Sequence, residues 1–152
     1  MSIEEALTFF KGHKDITDRI QPLFDIGLGY VQLGQSSSTL SGGEAQRVKL
    51  ASFLIRENTG GHIFFIFDEP TTGLHFHDIK KLLTAINALV EKGHSVLVVE
   101  HNMEVIKSAD WVIDLGPEGG EDGGHLIFEG VPEGLAQLDK GYTAAFLREK
   151  LG

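Results

Sequence analysis

The stretch that decides the fold is Ile63-Phe64-Phe65-Ile66-Phe67-Asp68-Glu69-Pro70, an uninterrupted apolar run followed directly by two acids and a proline. An apolar run without polar alternation is typical of a strand covered on both faces, as in a parallel α/β sheet. The run Ser95–Val99 has the same character, and segment 76–91 between them places apolar residues at helical spacing. Two further strands are predicted at residues 111–115 and, on an edge, at 126–128. This order predicts an α/β fold, mainly a parallel sheet flanked by helices.

The residues before this core have a helical pattern. The sequence Ser41-Gly42-Gly43-Glu44 has the spacing of a capping box and opens a helix that we expect to stop at Asn58-Thr59-Gly60-Gly61. No internal repeat or linker divides the chain, so we expect one domain over residues 1–152. Within it, residues 1–60 would form a helical region and residues 61–152 an α/β core.

The composition excludes several classes of function. Of the 152 residues, 13 are Lys or Arg and 22 are Asp or Glu, which gives a net charge of −9. Binding to a phosphate backbone needs clustered cations, so the chain is not expected to hold nucleic acid by itself. The absence of cysteine excludes disulfides and cysteine-ligated zinc, and it fits a reducing cytoplasm. We expect no signal peptide and no membrane span, because the start is acidic and the apolar runs are short.

The residues Ser41, Gly42 and Gly43 form the first candidate site. At a helix start, unpaired backbone N–H groups, a serine hydroxyl and the positive end of the helix dipole together favour an anion. The alternative is an ordinary capping box in which the glycines only relieve the turn.

Asp68, Glu69 and His101 form the second candidate site. Ligands of open parallel sheets collect at the carboxyl ends of strands, where both acids lie. Nucleotide hydrolysis needs one acid to hold Mg²⁺ through its water shell and one to polarise the attacking water, tasks that suit Asp68 and Glu69. His101 follows the next buried strand and would reach a shared phosphate. The alternatives are a solvated acidic strand end and a structural histidine.

The order and spacing of these motifs resemble the ATP-binding cassette (ABC) ATPases, with a signature motif, a Walker B strand with its glutamate, and a switch histidine. The chain looks most like the UvrA family, the damage-recognising ATPases of bacterial nucleotide excision repair. Four stretches carry this resemblance: Leu40–Ala51, Asp68–His75, Val99–Asn102 and Ile113–Gly120. His75 stands where transporter cassettes usually carry an aspartate, and we assign it no role.

The resemblance implies a role for each candidate residue. Ser41, Gly42 and Gly43 would contact the γ-phosphate of an ATP held by a different cassette. Asp68 would coordinate Mg²⁺ indirectly and Glu69 would act on the hydrolytic water. His101 would sense the γ-phosphate.

The resemblance also implies a larger protein. The chain contains neither a Gly-x-x-x-x-Gly-Lys-[Ser/Thr] loop (Walker A) nor any cysteine, whereas the family carries Walker A and zinc modules upstream of the signature motif. We therefore expect residues 1–152 to be the C-terminal part of the second ABC ATPase domain, inactive alone. The full-length protein would use ATP, Mg²⁺ and zinc. Its partners would be DNA, a second UvrA copy and UvrB, in the cytoplasm and with no membrane partner.

Two other functions fit part of the pattern. A transporter nucleotide-binding domain would have a similar signature motif and Walker B strand, but His75 and the block Ile113–Gly120 speak against it. A degenerate cassette kept for dimer contacts would have no need for the intact set of Asp68, Glu69 and His101.

Overall fold

The predicted apolar strand pairs in parallel with its neighbour in the computed structural model. Strand β1 (Phe64–Asp68) runs beside β2 (Ser95–Val99), with Phe64 opposite Ser95 and Asp68 opposite Val99. Parallel strands need a long crossover, and helix α4 (Phe76–Glu91) supplies it. The two strands and the helix between them are therefore confirmed.

The structure describes residues 1–55, 61–116, 124–138 and 141–151. They belong to two compact units, residues 1–100 and residues 101–152. Most of the predicted helix stop at 58–61 and the block 117–120 lie outside the described residues. No helix among the described residues has both the length and the apolar character that crossing a bilayer requires.

The first unit places three helices before the strands. They are α1 (Ile3–Phe9), α2 (Lys14–Asp25) and α3 (Gly42–Ile55), with a 3-10 turn at Ser37–Thr39 between α2 and α3. One core joins α3 and α4 to the strands, and in it the ring of Phe53 meets that of Phe65 edge-on, with centroids 5.0 Å apart.

Only one face of β1 is covered, so the prediction that both faces are buried is wrong for this chain. Phe65 and Phe67 are 8% and 6% exposed, whereas Phe64 and Ile66 on the opposite face are 58% and 63% exposed. The core that buries Phe65 and Phe67 includes residues of α3 and α4. The apolar side chains on the other face therefore lie in solvent.

The second unit contains an antiparallel hairpin. Its elements are α5 (Met103–Ile106), β3 (Val112–Gly116), β4 (His125–Gly130), α6 (Pro132–Ala136) and α7 (Tyr142–Leu151). Strand β3 pairs antiparallel with β4, whereas the parallel pairing lies in the first unit. The connection between β3 and β4 is too short for a parallel crossover, which needs a dozen or more residues. Helices α6 and α7 follow the hairpin.

The helices of the second unit close on a small core of their own. Leu135, Ala144 and Leu147 form its buried centre. The Thr143 hydroxyl donates to Asp114 at 3.1 Å and so ties α7 to β3.

The one-sided burial of β1 gives a matched pair of substitutions. Phe67→Ala should lower the free energy of unfolding of the 152-residue chain by about 3–5 kcal/mol, because it opens a cavity in the core. Phe64→Ala makes the same chemical change on the exposed face and should cost less than about 1 kcal/mol. Urea unfolding followed by circular dichroism measures both. Equal losses would show that the Phe64 face is covered after all.

Candidate functional site

Reciprocal hydrogen bonds fix the start of α3. The backbone N–H of Ser41 donates to the Glu44 carboxylate at 2.7 Å, and the Glu44 N–H donates to the Ser41 hydroxyl oxygen at 3.3 Å. The predicted capping box is thus present. The first amides of a helix have no acceptor within it, so Gly42 and Gly43 present N–H groups at its positive end. A capping box and an anion site are compatible in this geometry.

Tyr30 joins this helix start, which the sequence did not indicate. Its hydroxyl donates to the Glu44 carboxylate at 2.6 Å. The hydrogen bond from Tyr30, with those from Ser41 and the charge of Arg47, lowers the pKa of Glu44 below its ordinary value. Partial burial of the ring, together with the hydrogen bond to Glu44, raises the pKa of Tyr30. At neutral pH Glu44 is therefore a carboxylate and Tyr30 is a protonated phenol, and the hydrogen bond between them stabilises the start of α3.

The acidic pair lies at the carboxyl end of β1, as predicted. Asp68 is the last residue of the strand, and Asp68 and Glu69 are both exposed. Glu69 adopts a φ of 46°, the left-handed region that non-glycine residues rarely enter. Its N–H donates to the Val99 carbonyl at 2.9 Å. Such a conformation costs of order 1–3 kcal/mol and persists where neighbours hold it, typically at functional sites.

The start of α3 and residues 68–72, which we call the acidic loop, lie against each other within the first unit. A Cβ atom placed on Gly43 would lie 3.2 Å from the Thr72 carbonyl oxygen and 3.5 Å from that of Glu69. The side chain of Gln46 bonds the backbone of Asp68, and the guanidinium of Arg47 bonds the Pro70 carbonyl at 2.7 Å. The structure therefore brings the two predicted sites of this unit together.

Glu100, the residue after β2, binds the acidic loop at Thr71. One carboxylate oxygen of Glu100 accepts from the Thr71 N–H at 2.9 Å and from the Thr71 hydroxyl at 2.5 Å. His101 is the first residue of the second unit, so its grouping with Asp68 and Glu69 stays a prediction. His75 is exposed and precedes α4 without a side-chain capping bond, and nothing in its surroundings assigns it a role.

The chemistry of these acids fits Mg²⁺ better than a protein-caged metal. Over the described ranges, no three or more His, Cys, Asp or Glu residues cluster as metal ligands would. Magnesium is commonly held by one or two carboxylates, substrate phosphates and water, and an exposed strand-end aspartate suits that set.

The amino-acid sequence is similar to proteins of known family. No protein-family model matches the chain. UvrABC system protein A of Agrobacterium fabrum is 55% identical to it over 99% of the chain, and the Streptomyces coelicolor protein is 57% identical over all of it. The chain is similar to one segment of UvrABC system protein A. It spans 15% of the length of each of these two relatives, and the predicted resemblance to UvrA is confirmed.

Two solved structures have a similar fold, and one of them is a UvrA protein. The crystal structure of UvrA2 from Deinococcus radiodurans matches 98% of the chain at 43% identity with a TM-score of 0.83, and the chain covers 18% of that protein. A bacterial Atm1-family ABC exporter with ATP bound matches 99% of the chain at 21% identity, with a TM-score of 0.57, and the chain covers 26% of that protein. At that identity the exporter shows the fold alone. The predicted fold class, a partial ABC-type cassette, is confirmed.

The close approach of Gly43 to the loop can be tested against its neighbour. Gly43→Ala should be about 1–3 kcal/mol less stable than Gly42→Ala, because the new methyl group would lie 3.2 Å from the Thr72 carbonyl oxygen and 3.3 Å from Nη1 of Arg47. A Cβ on Gly42 meets nothing within 4 Å, so there alanine should be neutral or gain up to about 1 kcal/mol of helix propensity. Thermal unfolding of the two variants gives the difference. Equal stabilities would mean that the loop does not pack on the helix start.

Proposed function

We propose that this segment supplies two parts of the ATP-hydrolysing machinery of a DNA-repair protein. The observation that carries the proposal is the placement of Asp68 and Glu69 at the carboxyl end of a parallel strand, against the amide-presenting start of α3. A phosphate-binding helix start beside a pair of strand-end acids suits the hydrolysis of a nucleotide. The identity to UvrABC system protein A supports nucleotide excision repair as the setting.

Each residue has a separate task in this proposal. Ser41, Gly42 and Gly43 bind the γ-phosphate through backbone N–H groups and the serine hydroxyl. Asp68 holds the water shell of Mg²⁺, and Glu69 orients and polarises the water that attacks the γ-phosphate. When bound, the magnesium ion offsets negative charge on the phosphates. His101 contacts the γ-phosphate as the switch histidine.

The two parts belong to different ATP sites. Ser41–Gly43 face an ATP held by another cassette, whereas Asp68 and Glu69 serve the nucleotide of their own cassette. The Walker A loop, the zinc modules and the DNA-binding surface lie elsewhere in the longer protein. That protein works as a homodimer with UvrB and DNA in the cytoplasm. The −9 charge of this segment agrees with DNA contact through other regions.

The transporter alternative is not favoured. Identity is 55–57% to UvrABC system protein A but 21% to the ABC exporter. A shared fold at low identity carries no shared partner.

Glu69 can be tested in the full-length ATPase. Glu69→Gln should leave ATP binding intact and lower the rate of phosphate release by about 100-fold or more, because an amide is a poor acceptor for the proton of the attacking water. Glu91→Gln, an exposed position at the end of α4, is the matched control and should retain the wild-type rate. Wild-type phosphate release by Glu69→Gln would remove Glu69 from this role.

The isolated 152-residue chain provides a second test. We expect no heat of binding when it is titrated with Mg-ATP at micromolar concentrations, and no turnover, because both of its half-sites need partners. Calorimetry with a parallel phosphate-release assay measures this. Micromolar affinity accompanied by turnover would contradict the division into half-sites.

A further inference from the structure

Two neighbouring side chains of α3 hold the backbone of the acidic loop at three alternate residues. Gln46 bonds residue 68, and Arg47 bonds residues 70 and 72. Neither side chain has a role in the function proposed above. Both follow the Ser41–Gly43 helix start within a turn and a half, so they connect it physically to the acids.

The side-chain amide of Gln46 makes two hydrogen bonds to the backbone of Asp68, the pattern that a neighbouring strand makes in a sheet. Its Nε2 donates to the Asp68 carbonyl at 2.8 Å, and its Oε1 accepts from the Asp68 N–H at 3.0 Å. Both polar groups of one peptide residue are thereby fixed by a single planar amide. The last residue of β1 is held in place from the side of α3.

Arg47 anchors the loop on the other side of Glu69. The side chain is 1% exposed, and its Nη1 donates to the Pro70 carbonyl at 2.7 Å and to the Thr72 carbonyl at 3.3 Å. Its Nε and Nη2 are buried and make no hydrogen bond within the described part of the chain. Burying a guanidinium is costly unless it is well paired, so stability is a poor explanation for this residue.

Glu69 lies between these two anchors. Its backbone is held at a φ of 46°, with Asp68 fixed by Gln46 and Pro70 fixed by Arg47. Because the bonds reach backbone atoms, a shift of α3 moves the peptide units on both sides of Glu69. The direction of the Glu69 carboxylate therefore depends on where the helix start sits.

We infer that Gln46 and Arg47 are positioning residues that link phosphate binding at Ser41–Gly43 to the orientation of Glu69. The inference rests on the proposed ATPase function. Through this link, the helix start engaged at one ATP site sets the position of the glutamate that serves the other.

The test uses the full-length ATPase with three substitutions in α3. Gln46→Met keeps the side-chain length and removes both hydrogen bonds to Asp68. Arg47→Lys keeps the charge, but a flexible ammonium group replaces the rigid planar guanidinium whose Nη1 donates to both the Pro70 and Thr72 carbonyls. Lys49→Met removes an exposed charge from the same helix and is the matched control.

Misplacing the reacting groups by about 1 Å costs up to roughly 100-fold in rate, so kcat should fall by about 10- to 100-fold in Gln46→Met. Arg47→Lys should show a smaller loss, since one carbonyl contact can persist. The dissociation constant for ATP and the thermal midpoint should stay at wild-type values in Gln46→Met, and Lys49→Met should match wild type throughout.

The possible failures are distinguishable. A wild-type protein without ATP hydrolysis would overturn the proposed function, and the inference with it. Hydrolysis by wild type with an unchanged kcat in both link variants would overturn the inference alone. A fall in kcat matched by lost ATP binding and a lower thermal midpoint in Gln46→Met would show a merely structural role, which also overturns it.

Discussion

Parallel pairing of β1 with β2 is the constraint on which the rest of the first unit depends. It sets Asp68 opposite Val99, so the residues that follow both strands emerge at one edge. The same register lets the Glu69 N–H bond the Val99 carbonyl and lets Glu100 bond Thr71. The pairing itself rests on the core beneath Phe65 and Phe67, which joins the strands to α3 and α4.

The helix start and the acidic loop are parts of one structure. Glu44 completes the capping box and accepts from Tyr30, which fixes the first turn of α3. Gly43 lets that turn lie against the loop, where a larger residue would meet two carbonyl oxygens. The unfavourable backbone conformation of Glu69 is held by contacts on both sides of it. The first turn of α3 and the backbone on both sides of Glu69 are therefore held by neighbouring side chains of the same helix, Glu44, Gln46 and Arg47.

Local sequence patterns predicted the elements well, because strand runs, helical stripes and capping boxes depend on residues close in the chain. The strands at Phe64–Asp68 and Ser95–Val99 and the start of α3 followed from such patterns. The exposed face of β1 could not be predicted, since an apolar run does not state what covers it. The antiparallel pairing of β3 had a usable signal in the short connection to β4. The bonds of Tyr30, Gln46 and Arg47 join residues 14 to 25 positions apart, which no local pattern reveals.

We propose that this chain contributes an amide-presenting helix start to one ATP site and an acidic pair to another. The most direct measurement is a structure of the full-length ATPase dimer trapped with Mg-ATP. We expect the γ-phosphate of one ATP within hydrogen-bonding distance of the Gly42 and Gly43 amides, and a second ATP beside the Asp68–Glu69 loop of the same cassette. Nucleotide bound away from Ser41–Gly43, or a single ATP in contact with both Ser41–Gly43 and the Asp68–Glu69 loop of the same cassette, would rule out this division of the two parts.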